Sequence, residues 1–192
     1  MSIFLPSLAS SHDLADTLKA YRTLGEPVVH LAEAVMRKES ELSIGERELI
    51  AAYVSGLNAC QYCVNSHINV AEQFGVDATV LEKLLASIDD APIKETLKPI
   101  FYYVKKLTET PSKMMARDAE QVYSLGWQEE TLVDVVSVCA FFSLMNRLVD
   151  GTGCTVNTVA KAPEKTDMSA IEQTQLATTY LAWGRLKGIV QN

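Results

Sequence analysis

A Cys-x-x-Cys pair with a histidine four residues on (Cys60, Cys63, His67) stands where one helical pattern stops and another begins. Upstream, Leu49, Ile50, Tyr53, Val54 and Leu57 recur at helical spacing; downstream, Ile68, Val70, Ala71 and Phe74 resume it. Between the runs, Gly56-Leu57-Asn58 reads as a helix stop followed by an N-cap. Asn58 then caps a second helix that starts near Ala59. Residues three and four apart share a helix face, so Cys60, Cys63 and His67 are expected in one row.

That row suits a reactive thiol. Backbone N–H groups at a helix N-terminus favour the thiolate, and so does a histidine that accepts the proton. Only the thiolate is a good nucleophile. A second cysteine three residues away can capture the oxidised first one as a disulfide before oxidation goes further. Glu48 lies on the preceding helix, twelve residues before Cys60. If the two helices fold against each other, its carboxylate reaches His67, and the order glutamate, histidine, thiol can move a proton. Helix-dipole reasoning alone prefers Cys60, nearer the helix start, as the attacking sulfur.

The 192 residues fit a single domain, 1–192, with enough length to bury a core. Hydrophobic residues make up 48% and charged residues 21%, and only nine glycines and six prolines interrupt them, so a compact helical chain is expected rather than a disordered one. A net charge of −7 argues against nucleic acid or an anionic membrane as the main partner. No apolar run is read as approaching the roughly 20 residues of a membrane helix. The start, Met1 to Pro6, has no basic residue and too short an apolar core for a secretory signal, so a cytoplasmic protein is expected. In that compartment four cysteines point to catalysis or to inert thiols rather than to a disulfide framework. Cys139, within the apolar run Val135–Leu144, reads as a buried core residue. Cys154, in the stretch Gly151-Thr152-Gly153-Cys154, reads as more accessible.

The rest of the chain continues the helical pattern. Residues 1–11 read as an extended lead-in, Asp13–Leu24 as a helix ended by Gly25, and Val28–Lys38 as a second helix opened by Pro27. His30 falls near the apolar stripe of that second helix and reads as structural; His12 stands in no constellation. Arg47 reads as a surface residue. Asp77 caps a short helix, Ala78–Ser87, and further helices are expected from about Ala91 to Thr108 and from Lys113 to Ser124. The segment from Glu129 to Val149 is apolar all round and reads as the most buried helix or as an interface element. Lys161–Asp167 forms a polar linker, and the periodic tail 169–190 supplies a C-terminal helix with Tyr180 and Trp183, suited to a core or a subunit interface. Phe74-Gly75 before Leu81 is echoed by Leu125-Gly126 before Leu132, as repeated helical units would give. Neither a phosphate-binding glycine loop nor a nucleophile elbow is present.

Glu48, Cys60-Gln61-Tyr62-Cys63 and His67 together match an E-x11-C-x-x-C-x-x-x-H signature. In this the chain resembles the alkylhydroperoxidase D-like proteins of the carboxymuconolactone decarboxylase superfamily. The likeness is detailed over about Leu42–Gly75, and Asn146-Arg147-Leu148-Val149-Asp150 is similar to an element of the longer peroxidase-related members. The resemblance implies an all-α helical bundle, a redox-active cysteine pair and a homo-oligomer, commonly a trimer or hexamer. It also implies the roles: Cys63 attacks the peroxide, Cys60 resolves, and His67 with Glu48 relays the proton. No cofactor is implied; the partners are a peroxide and a thiol or dithiol reductant of thioredoxin-like or lipoyl type. The founding alkylhydroperoxidase carries a second histidine between its cysteines, where this chain has Tyr62.

Other readings use the same residues. Cys60, Cys63 and His67 could serve as zinc ligands, with Glu48, Cys139 or Cys154 as the fourth, in a non-enzymatic structural module; zinc pairs usually bring a second ligand pair, and none is evident. A protein disulfide reductase would use the same two thiols. Lactone-acid decarboxylation, which names the superfamily, needs no cysteine pair.

Overall fold

The computed structural model describes residues 4–77, 79–155 and 179–191, and every regular element among them is a helix. In chain order these are α1 (Leu14–Ala20), α2 (Arg22–Met36), α3 (Ile44–Leu57), α4 (Gln61–Gln73), α5 (Thr79–Ala86), α6 (Lys98–Glu109), α7 (Ala116–Tyr123), α8 (Glu129–Thr152) and α9 (Tyr180–Leu186). Short 3-10 turns occupy Glu95–Leu97 and Pro111–Lys113. The chain divides into two compact units, Glu39–Asn146 and the residues on either side of it.

In the unit built from the chain's two ends, Asp13 opens α1, its carboxylate accepting the Asp16 N–H at 2.8 Å. The break before α2 falls at Tyr21 rather than at Gly25. Gly25 lies inside α2, where a Cβ would collide with the Leu18 carbonyl; the glycine admits close helix packing and stops nothing. His30 is exposed, against the structural reading. His12 is buried instead, each ring nitrogen 2.9 Å from a carbonyl oxygen, that of Ala9 or of Thr152. α9 packs on α2: Arg22 donates to the Gly188 carbonyl at 2.6 Å, Leu181 N–H donates to Glu33 at 3.1 Å, and the Arg37 guanidinium lies over the Tyr180 ring. The tail helix expected over 169–190 is shorter where it is described: α9 starts at Tyr180, where the extended Thr179 caps it by accepting the Ala182 N–H at 2.9 Å, and it ends at Leu186. Residues 169–178 and the Lys161–Asp167 linker lie outside the described residues.

In the unit Glu39–Asn146, α3 is central and packs on α4, α5 and α6. Ten of its fourteen residues are buried, which makes it more enclosed than α8, the helix expected to be most buried. α8 keeps an exposed side at Val133, Ala140 and Leu144. Uniform apolarity measured its composition and not its coverage. α8 is also long and apolar enough to cross a bilayer, with mean hydropathy 1.7 in its most apolar window, contrary to the reading of apolar runs. Asp134 disguises that run in the sequence. Yet 56% of the window is buried within the fold, and Asp134 and Asn146 are buried there too, as on a core helix.

The helix expected from Ala91 begins only at Lys98, which puts Pro99 in its first turn. Had it begun at Ala91, Pro99 would sit mid-helix, where its ring meets the carbonyl four residues back and its missing N–H breaks the ladder. α7 likewise starts late, at Ala116, where Asp118 accepts the Met115 N–H at 2.7 Å. α5 keeps its expected place, with Asp77 accepting the Thr79 N–H at 2.8 Å; Ala78 lies outside the described residues. Gly75 and Gly126 both turn with positive φ, 87° and 94°, so the faint sequence echo marks two turns of the same hand.

Candidate active site

The site is assembled at the junction of α3 and α4, and a capping box sets where α3 begins. Ser43 Oγ accepts the Glu46 N–H at 3.2 Å, and the Glu46 carboxylate accepts the Ser43 N–H at 2.8 Å. Lys94 donates to the same carboxylate at 2.8 Å. With the helix start fixed there, Glu46 faces outward while Arg47 and Glu48 both turn inward. Arg47 is therefore buried rather than on the surface. Its guanidinium lies on a helix enclosed on nearly every side, a situation its charge alone would not suggest.

α3 ends in a tight turn. Cys60 N–H donates to the Ser55 carbonyl at 2.9 Å and Ala59 N–H to the Gly56 carbonyl at 3.1 Å, the paired bonds of a Schellman motif. Asn58 closes α3 and does not cap α4, as had been expected; the N-cap of α4 is Cys60 itself. Ala59 between them has φ 59°, the only positive φ at a non-glycine among the described residues. An L-residue pays about 1–2 kcal/mol in this left-handed region. The sequence reading missed this because glycine, not alanine, signals such a turn.

The four expected residues come together here. Cys60 sits at the N-cap, fully buried, and Cys63 at the third position of α4 is 3% exposed. All four cysteines of the chain are in thiol form. His67 follows Cys63 by four residues on α4, its side chain 14% exposed. Its Nδ1 lies 2.6 Å from Glu48 Oε2, and the Glu48 side chain has no exposed surface. Burying a carboxylate is costly unless it is paired and hydrogen-bonded, and a short charge-assisted contact is one such compensation. With Nδ1 donating to Glu48, Nε2 is the ring atom left to exchange a proton. The imidazole is also braced by Phe142 of α8, edge to face, with ring centroids 4.3 Å apart.

α8 brings a second residue to the junction. Asn146, one turn beyond Phe142, accepts from Asn58 Nδ2 at 2.9 Å and donates to Ser55 Oγ at 3.0 Å. Phe142 read as core and Asn146 only as part of a motif. The available signal was an amide on an otherwise apolar helix, since such a group needs partners inside.

The other two cysteines stand apart from this cluster. Cys139 is buried 3.3 Å from the Thr108 hydroxyl, and burial pushes its thiol above the ordinary range. Cys154 is half-buried near the hydroxyls of Thr17 and Thr152. Among the described residues, no three His, Cys, Asp or Glu side chains are grouped to hold a metal ion, so the zinc module gains no support there.

Residues 23–91 match the family model for the carboxymuconolactone decarboxylase family. Two solved structures resemble the chain over most of its length. An uncharacterized peroxidase-related protein from Silicibacter sp. TM1040 is 28% identical, with TM-score 0.68, covering 74% of this chain and 76% of its own. An alkylhydroperoxidase AhpD core, an uncharacterized peroxidase-related protein from Ralstonia eutropha JMP134, is 25% identical, with TM-score 0.69, covering 73% and 74%. No curated protein matches the chain.

Proposed function

We infer, for a chain that belongs to the alkylhydroperoxidase D-like and carboxymuconolactone decarboxylase superfamily, that it is a thiol-dependent hydroperoxidase working through Cys60 and Cys63. The observation that carries this reading is the 2.6 Å contact between His67 and the buried Glu48, one helical turn from Cys63. An imidazole held by a carboxylate is the arrangement that removes a proton from a neighbouring thiol.

His67 takes the Cys63 proton, and the Cys63 thiolate attacks the terminal oxygen of a hydroperoxide. The O–O bond breaks, Cys63 becomes a sulfenic acid, and the alkoxide leaves as an alcohol with the proton His67 returns. The Cys60 sulfur then displaces hydroxide from Cys63, giving the Cys60–Cys63 disulfide and water. Two electrons from an external thiol or dithiol, thioredoxin-like or lipoyl in type, restore the pair.

The choice of Cys63 as the attacking sulfur follows the resemblance, and its fourfold spacing from His67 supports it. Cys60, which helix-dipole reasoning favoured, stands at the N-cap, outside the first helical turn. The same reading includes a cytoplasmic homo-oligomer, trimer or hexamer, for which light scattering on the purified chain is the direct check.

The test is intact-mass analysis of reduced, metal-free protein after one equivalent of an organic hydroperoxide, followed by peptide mapping. The expected result is a rapid loss of about two mass units mapped to Cys60–Cys63. An unchanged mass rejects the reading.

A further inference from the structure

We propose that Asn146 is a positioning residue for the disulfide-forming step, acting through the turn that carries Cys60; the proposal rests on the redox reading above. The amide is buried and bonded at both ends. Its oxygen accepts from Asn58 and its nitrogen donates to Ser55 Oγ. The Ser55 hydroxyl in turn donates a hydrogen bond to the Ala51 carbonyl at 2.8 Å, and the Ser55 carbonyl accepts the Cys60 N–H. One side chain of α8 thus holds the end of α3 at two points, Ser55 and Asn58, from which the turn to Cys60 departs.

The group is matched to the task. Facing Asn58 it must accept, and facing Ser55 it donates. A primary amide does both at one position; aspartate offers no donor and leucine offers neither. Placing such an amide on an apolar helix is unfavourable unless both bonds form, so the turn and Asn146 specify each other.

What the turn controls is the placement of Cys60. Between Asn58 and the first turn of α4 lie only Ala59 and Cys60, and the Cys60 torsions, φ −83° and ψ 89°, set where its sulfur lies. A disulfide needs its Cβ atoms about 3.5–4.5 Å apart, so modest drift at Cys60 takes it out of range. Ala59 supplies a reason to drift, because its φ of 59° is unfavourable for an L-residue and relaxes if the turn is released. Cys63 is inside α4 and does not depend on the turn in this way. Asn146 therefore acts on the second step, in which Cys60 expels hydroxide from the Cys63 sulfenic acid, and not on the first.

The experiment uses the full chain and its Asn146→Ala and Asn58→Ala variants, each reduced and mixed with one equivalent of cumene hydroperoxide. Samples quenched over time with dimedone report the sulfenic acid, and intact mass reports the disulfide. In Asn146→Ala, sulfenic acid should form within about twofold of the wild-type rate, while closure slows about tenfold or more, as loss of one to two buried hydrogen bonds gives. Dimedone-labelled Cys63 then accumulates. Asn58→Ala should slow closure in the same sense, and the double variant should be no slower than Asn146→Ala, since both changes cut one chain of bonds. A purely structural role would lower the melting temperature and leave the ratio of the two rates untouched. If Asn146→Ala does not fold, Asn58→Ala decides. Wild-type closure rates in a folded variant overturn the proposal alone, whereas a wild-type protein that forms no disulfide overturns the redox reading with it.

Discussion

The first turn of α4 and the middle of α8 each bury a thiol to nearly the same degree, Cys63 at 3% exposed and Cys139 at 2%. Around Cys139 the polar partners are the Thr108 and Ser143 hydroxyls, whose hydrogen bonds pull the thiol down by less than burial pushes it up. Around Cys63 the helix begins, and one turn on stands an imidazole coupled to a carboxylate with no exposed surface. Burial by itself makes a thiol inert. Burial beside a paired proton acceptor keeps water out while giving the proton somewhere to go. On the proposed reading, the difference between the two thiols is one of proton path and not of access.

Removing each sulfur in turn gives the largest expected contrast between the two regions. Cys63→Ser should lower hydroperoxide consumption by on the order of a thousandfold or more, as loss of a nucleophile does. Cys139→Ser should stay within about twofold of wild type, because Cys139 lies off the proton path and the substitution keeps a hydroxyl-sized group beside Thr108. Comparable losses in a steady-state peroxide assay would mean that the two regions are not chemically distinct.

Next in size is the relay itself. Glu48→Gln keeps the side chain's shape but not its charge, so oxidation of Cys63 at pH 7 should slow by about ten- to a hundredfold, the lower part of what a positioned base contributes. The deficit should shrink at pH 9, where solvent hydroxide removes the proton. Alkylation of Cys139 should not change. Stopped-flow oxidation across that pH range reads this directly, and indistinguishable profiles would remove Glu48 from the mechanism.

These two predictions rest on residues that were legible before any coordinates. Helical spacing on both sides of Cys60 and Cys63 gave two packed helices, and fixed spacing brought Glu48 to His67. What was not legible was set by tertiary surroundings. Gly25 and Pro27 looked like punctuation, yet Gly25 is needed for close packing on Leu18 and Pro27 is accommodated inside α2. Arg47 looked solvated, and nothing in its neighbours announces that α3 is enclosed on nearly every side. Asn58 has the right type for an N-cap, but the turn consumed it as the end of α3. Phe142 and Asn146 come from a helix some eighty residues away, and no local pattern links them to the cysteines.

A smaller effect tests the other half of the comparison. Because burial raises the Cys139 thiol, the folded chain keeps that proton at pH values where the unfolded chain has lost it. The folded state then binds more protons than the unfolded one, so its stability falls as pH rises past the unfolded thiol value of about 8.5. Urea midpoints measured at pH 7.5 and pH 10 should show a shallower alkaline loss in Cys139→Ser than in wild type. Parallel losses would mean that Cys139 is not held as a neutral thiol by its surroundings.

The smallest effect asks whether the α4 region is distinguished by its backbone as well as by its titratable groups. α4 is entered and left by the same kind of turn, with Ala59 at φ 59° on one side and Gly75 at φ 87° on the other. A Cβ at Gly75 would meet nothing within 4 Å, so conformation alone favours glycine there. Ala59→Gly should relieve about 1 kcal/mol or more of left-handed strain and return part of it through the greater freedom of the unfolded chain. The net expectation is a gain of at most about 1 kcal/mol, read as a higher urea midpoint with an unchanged slope. Gly75→Ala should lose about as much, because it creates the strain that Ala59→Gly removes. If Ala59→Gly instead destabilises the protein, the alanine methyl contributes packing that outweighs its torsion. The turn before Cys60 would then be held by side-chain contact as well as by the amide of Asn146.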